Sequence, residues 1–183
     1  MLLDAGKSSL LLIDVQERLL PAMHSPELVV RHAAILLNAA ATLQVPVTVS
    51  EQYPRGLGHT VPELIAPDAN VWRFEKLAFS CWRDRPLANH LIGLHEAGRP
   101  QVILAGIEAH VCVLQSAIDL AMAGFSVFAV ADAMSSRRPS SAEVACERMK
   151  ANGVQVITTE MAVFELLGQA GTPVFKALSA LVK

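Results

Sequence analysis

The sequence predicts an α/β fold, a six-stranded, mostly parallel sheet with helices on both faces. Three observations predict it. Six short apolar runs alternate with stretches of helical periodicity. The connections between the runs are long enough to hold crossover helices. Apolar residues make up 52% of the 183, yet the apolar runs stay far below the roughly 20 residues of a membrane helix. A mean hydropathy of +0.40 then suits a sheet buried on both sides, with a subunit interface as a further outlet.

Residues 8–13 (Ser8, Ser9, then Leu10 to Ile13) read as a buried strand. Leu28, His32, Ile35, Leu36, Ala39 and Leu43 recur at helical spacing, so 27–44 read as a helix. Residues 46–50 form a second strand. Pro54, Gly56, Gly58, Pro62 and Pro67 break 51–70 into a long loop with one helical turn around 62–66. A third strand covers 71–74, and a helix covers 86–97 up to Gly98. The fourth strand is 101–105, followed by a helix over 110–123 that stops at Gly124. The fifth strand is 126–131. A helix over 140–151 ends at Asn152 and Gly153, and the sixth strand is 154–157. Helices over 160–168 and 173–182 complete a chain read as one domain, 1–183, without linker or repeat.

The charge pattern narrows the partners. The formal net charge is −2 and charged residues make up 17%. No basic stripe extends beyond Arg137 and Arg138, so nucleic acid is not an expected partner, and neither is a membrane. Cys81, Cys112 and Cys146 are odd in number and widely spaced, which disfavours a disulfide framework or zinc knuckle. With no signal-peptide pattern at the N-terminus, the expected compartment is the cytoplasm.

In an open parallel sheet, chemistry gathers at the carboxyl ends of the strands. Asp14 follows the first strand, Lys76 the third, and Cys112 the fourth after a short turn. A thiol can attack an acyl carbon, a carboxylate can move the proton, and an ammonium can balance negative charge. Cys112 falls in the first turn of the helix expected over 110–123. There the helix dipole is expected to lower the thiol pKa, and free N–H groups could hold an oxyanion. The competing reading is a small packed residue, the commoner fate of a free Cys. Cys146 lies within a helix and reads as packed. Cys81 follows Lys76 closely and reads as pocket-lining. His32, on the core side of its helix, reads as a satisfied core histidine. His90 and His95, five apart, are not a metal pair. Position 118 is Ile, so no Cys-phosphatase loop exists, and no serine elbow or phosphate loop occurs.

Taken in order, Leu11–Gln16 with its Asp14, Glu75–Lys76 followed by Phe79–Ser80, and Gly106–Val113 around Cys112 resemble the isochorismatase-like cysteine hydrolases. Ser50–Gly58, Val61–Leu64 and Asp132–Arg137 resemble the branch called isochorismatase domain-containing proteins. The resemblance covers nearly the whole chain. It implies a six-stranded parallel sheet of Rossmann-like order in a three-layer α/β/α sandwich, and an Asp14–Lys76–Cys112 triad acting on a small-molecule amide or related acyl substrate. It also implies a cis peptide at Ile107–Glu108, with the N–H groups of Glu108 and Cys112 as oxyanion hole, and a homo-oligomer. Gln16, Glu51, Gln52, Tyr53 and His59 become pocket candidates, because their segments leave the strands on the site side. Nicotinamidase relatives carry an Asp-x-His metal pair after the second strand. Here the stretch from Val49 to Tyr53 has none, so neither metal nor other cofactor is expected. Two rival readings stand beside the hydrolase: a redox- or electrophile-reactive thiol protein, and a catalytically silent scaffold.

Overall fold

A computed structural model describes residues 1–65 and 71–182. Six parallel strands form one sheet in the order β3-β2-β1-β4-β5-β6. They are β1 (Ser8–Ile13), β2 (Val47–Gln52), β3 (Val71–Lys76), β4 (Gln101–Ile107), β5 (Ser126–Ser135) and β6 (Gln155–Ile157). The order reverses between β1 and β4, which pair residue for residue from Ser8↔Gln101 to Ile13↔Gly106. The switch point therefore lies at the ends of these two strands, the place such sheets use for ligands.

The helices are α1 (Pro26–Thr42), the single turn α2 (Pro54–Leu57), α3 (Arg85–Glu96), α4 (Leu114–Met122), α5 (Pro139–Ala151), α6 (Thr159–Leu167) and α7 (Pro173–Ser179). Successive side chains of a strand point to opposite faces, and both faces here are covered. Leu10, Leu12, Val47, Val49, Ile103, Phe128 and Val130 pack against α1 and α6. Leu11, Ile13, Val102, Leu104, Val127 and Ala129 pack against α3, α4 and α5. That double cover is why the strands read as unbroken apolar runs rather than alternating ones. Among the described residues no helix is long and apolar enough to cross a membrane.

The structure departs from the expected boundaries at the polar strand ends. β2 runs to Gln52 rather than 50, β3 to Lys76 rather than 74, and β5 to Ser135 rather than 131. Leu104 pairs with Ala129 but Gly106 with Met134, so β5 bulges by several residues opposite Ala105. The turn expected around 62–66 is a 3-10 turn over Pro62–Leu64; its last residue, and the loop breaker Pro67, lie outside the described residues. Before α4 stands a π-turn, Ala109–Val113, that the periodicity does not reveal. His32 is less satisfied than expected, since its buried Nδ1 has no hydrogen-bond partner among the described residues and lies 3.5 Å from Asp132.

Candidate active site

Asp14 is the first residue past β1, with φ +54°, a left-handed conformation that Asp tolerates better than most residues. Its N–H donates to the Ser50 carbonyl oxygen at 3.1 Å. The Ser50 hydroxyl donates to Oδ1 at 2.7 Å, and Lys76 Nζ donates to Oδ2 at 2.7 Å. Both charged side chains are 0% exposed. Lys76 Nζ also meets Gln52 Oε1 at 2.7 Å and the carbonyls of Ala78 and Phe79 at 3.3 Å. Its ammonium is thus surrounded by acceptors, as a buried charge requires. Burial alone would lower the Lys76 pKa, but the Asp14 carboxylate, with Cys81 and Cys112, more than offsets it and raises the value.

Two thiols share this centre. Cys112 sits in the π-turn and is 5% exposed. Burial first, then the Asp14 charge and a hydrogen bond to Asp14, push its pKa well above the usual thiol range, against the opposing pull of Lys76. The expectation of a lowered value is therefore reversed: at this depth desolvation and a carboxylate outweigh a helix end. Cys81 is fully buried and pushed up to about 11, by burial and then by Asp14. A chain of hydrogen bonds joins the two thiol residues. Cys81 N–H donates to Ser116 Oγ at 2.8 Å, and Ser116 Oγ donates to the Cys112 carbonyl at 2.7 Å. The Cys81 thiol donates to Ser50 Oγ at 3.6 Å, and Ser50 donates in turn to Asp14.

The backbone is shaped to bring Cys112 there. At Gly106, φ is +123°, and a Cβ would run into the carbonyl oxygen of Ile13. Only glycine lets β4 approach β1 this closely at the switch point. The Ile107–Glu108 peptide is cis. The Glu108 carboxylate is buried against Arg137, whose Nε donates to it at 3.0 Å. His110 Nδ1 is 2.9 Å from Ser136 Oγ.

The remaining candidates divide. Gln52 touches the centre directly through Lys76 and donates its Nε2 to the Leu77 carbonyl at 2.9 Å. Gln16 is fully buried and spends its amide on backbone. Its Oε1 accepts from Gln52 N–H at 2.7 Å, and its Nε2 donates to the Gln52 and Gly58 carbonyls at 3.0 and 2.6 Å. Glu51 likewise holds the following loop. Its Oε1 accepts from the Thr60 N–H and hydroxyl, both at 2.7 Å, and its Oε2 meets His59 Nδ1 at 2.9 Å. Burial pushes the Glu51 carboxyl up, yet the hydrogen bonds from Thr60 and His59 hold it below its ordinary value. The hydrogen bond to Glu51, then its charge, raises exposed His59. Tyr53, 52% exposed, lines a cleft of about 550 Å³ with Arg55, Glu75, Lys76 and Arg83. The ammonium of Lys76 is buried on Asp14, so this cleft adjoins the centre from outside. Ser50 and Ser116 were not among the expected site residues. Ser50 ends the apolar run of β2, and Ser116 follows Cys112 by one helical turn.

The chain as a whole has counterparts among known proteins. The isochorismatase domain pattern matches residues 8–161. Isochorismatase domain-containing protein 2 of Danio rerio is 40% identical, covering 98% of this chain and 89% of the relative. The secreted isochorismatase effector Isc1 of Phytophthora sojae is 37% identical, covering 96% and 84%. That relative is named as secreted, so a cytoplasmic location is not shared by every relative. Among solved structures, MAR1 ribonuclease from Caenorhabditis elegans superposes with a TM-score of 0.90 at 35% identity, covering 100% of this chain and 92% of that one. The Escherichia coli YcaC product, an octameric hydrolase of unknown specificity, superposes with 0.89 at 26% identity, covering 99% and 90%. With the family pattern spanning most of the chain and curated relatives aligned almost end to end, this protein belongs to the isochorismatase family and shares its hydrolase fold.

Proposed function

We propose that the chain is a cysteine-dependent hydrolase of a small amide or related acyl substrate. The observation that carries this reading is the buried Asp14–Lys76 ion pair at the switch point, with Cys112 on the turn after β4 near enough for the Asp14 charge to act on its thiol. Asp14 takes the thiol proton as sulfur bonds to the acyl carbon. The developing oxyanion is held by the N–H groups of Glu108 and Cys112. The carbon–nitrogen bond breaks and Asp14 returns the proton to the leaving amine. Water then adds to the thioester with Asp14 as base, the carbon–sulfur bond breaks, and the thiol is restored. Lys76 keeps Asp14 oriented and balances the charge while the proton is away.

The test is a panel of small amides and acyl compounds, with mass-spectrometric trapping of an acyl group on Cys112. An adduct on Cys112 in the wild type, absent in Asp14→Asn, supports the reading. Turnover that survives Cys112→Ala refutes it. The rival peroxide-reactive thiol needs a thiolate at neutral pH, and the raised pKa of Cys112 weighs against that. The ribonuclease activity in the names of several neighbours finds little support here, because the chain carries a net charge of −2 and Arg137 is already paired with Glu108. We further infer self-association through the edge strand β3, where Trp72 and the following Leu77 and Phe79 are exposed; sedimentation should show more than a monomer.

A further inference from the structure

We propose that Gln52 is a positioning residue of the reaction: it touches no substrate, but its neutral amide holds the Lys76 ammonium on Asp14 and so fixes the base that serves Cys112. This rests on the roles proposed for Asp14 and Cys112 and deepens that reading by naming what keeps the ion pair in place. It also moves Gln52 from the pocket wall, where it was expected, to the support of the centre.

The strand order creates the need for such a residue. Asp14 follows β1, Lys76 ends β3, and β2 lies between them. Neighbouring strands are about 4.8 Å apart, so the Lys76 side chain must cross over β2 to reach the carboxylate. β2 supplies one partner to each member of the pair. Ser50 and Gln52 are two residues apart and therefore face the same side of the sheet. The Ser50 hydroxyl donates to Asp14 Oδ1 at 2.7 Å, and Gln52 Oε1 accepts from Lys76 Nζ at 2.7 Å. An ammonium has three protons to place. One goes to Asp14 Oδ2 at 2.7 Å, one to Gln52, and the carbonyls of Ala78 and Phe79 share the third at 3.3 Å. With every proton engaged, Lys76 acts as a fixed charge, and Gln52 makes the second of its two short contacts.

Gln52 is itself held so that its oxygen faces Lys76. Its Nε2 donates to the Leu77 carbonyl at 2.9 Å. A reversed amide would set its NH2 against the ammonium and its oxygen against that carbonyl. Gln16, fully buried, clamps the Gln52 backbone from both sides. Its Oε1 accepts from the Gln52 N–H at 2.7 Å, and its Nε2 donates to the Gln52 carbonyl at 3.0 Å. The Tyr53 N–H donates to the Lys76 carbonyl at 3.0 Å, which locks the ends of β2 and β3 together. The amide must also be neutral. A carboxylate at position 52 would hold Lys76 as well, but it would set two negative charges against one positive and compete with Asp14 for the ammonium. A residue without an acceptor would leave an ammonium proton unpaired on a side chain that is 0% exposed.

Two variants of similar length test this in the full chain. Gln52→Met removes the acceptor, and Gln52→Glu keeps it but adds a charge. The first readout is the titration of Lys76, followed by the NMR signal of its ζ-nitrogen. Gln52→Met should lower the Lys76 pKa by about one unit and Gln52→Glu should raise it, whereas a residue that only lines the pocket or braces the loop would leave it in place. The second readout is turnover of whichever panel substrate the wild type accepts. Both variants should lose about tenfold or more in kcat, with KM within about twofold of the wild type. A Lys76 titration unmoved in Gln52→Met, or a rise in KM with kcat retained, overturns the proposal. Full kcat in Gln52→Glu overturns the requirement for a neutral group. If Gln52→Met does not fold, Gln52→Glu decides by the same two readouts. If turnover survives Cys112→Ala, the hydrolase reading fails instead, and the Lys76 titration alone decides whether Gln52 holds the ammonium.

Discussion

Asp14→Asn separates thiol acidity from thiol catalysis, which ordinary nucleophile mutants do not. In the wild type burial first, and then the Asp14 charge, raise the Cys112 pKa, while Lys76 pulls it down. The substitution removes the Asp14 charge and leaves the burial and the ammonium. A single charge at this range is worth one or more pH units, so alkylation of Cys112 at neutral pH should rise by about tenfold or more. Turnover should fall in the opposite direction by about 10²- to 10⁴-fold, the usual worth of a positioned base, because nothing remains to carry the proton to the leaving group. The loss of one partner from a pair that is 0% exposed should also cost about 3–5 kcal/mol of stability. The assay is paired: iodoacetamide kinetics at Cys112 against pH, and hydrolysis of whichever panel substrate the wild type accepts. Slower or unchanged alkylation in Asp14→Asn, with turnover retained, would refute the assignment of Asp14 as base and of its charge as a contributor, after burial, to keeping the thiol protonated.

Other outcomes follow from the same geometry. Cys81 is held protonated to about 11 against 9.0 for an ordinary thiol. The unfolded chain therefore sheds that proton first, and folding stability should fall by roughly 3 kcal/mol as pH rises from 9 to 11; alkaline unfolding curves of Cys81→Ala should lack most of this slope. The raised Lys76 value adds a second loss at still higher pH, above the ordinary lysine value of 10.5, and Lys76→Met should abolish that part. Gly106→Ala drives a Cβ into the Ile13 carbonyl at φ +123°, and urea titration should show a loss of at least about 3 kcal/mol. Gln16→Ala removes three hydrogen bonds to the backbone of Gln52 and Gly58, at about 1 kcal/mol each. Amide exchange should then accelerate across residues 52–60 ahead of the sheet.

What could be read in the sequence depends on which force shaped each stretch. Leu10–Ile13 and the interior of β4 are buried on both faces, so their apolar runs marked strands without ambiguity. The ends Glu51–Gln52, Glu75–Lys76 and Asp132–Ser135 are just as much strand, but they are polar because they bear the site, and polarity reads as loop. The three candidate positions stood out for a related reason: a charged or nucleophilic side chain directly after an apolar strand has few purely structural uses. Their partners were not. Ser50 and Ser116 are ordinary in composition, and only the fold brings one against Asp14 and the other between Cys81 and Cys112. Gln16 and Glu51 were expected as pocket residues, but their hydrogen bonds hold the loop over residues 52–60, a distinction that no linear pattern carries.

The direction of the Cys112 shift also constrains how catalysis can start. A thiol held neutral beside a carboxylate that is already ion-paired is a resting arrangement in which the free protein holds almost no thiolate. On the proposed reading, attack is coupled to proton transfer onto Asp14 within the bound complex, when the substrate excludes water and the oxyanion donors take up the charge that sulfur delivers. Such a centre spares its cysteine from random oxidants, since a protonated, 5% exposed thiol reacts slowly with them. It also places the burden of selectivity on whatever anchors the substrate near Cys112.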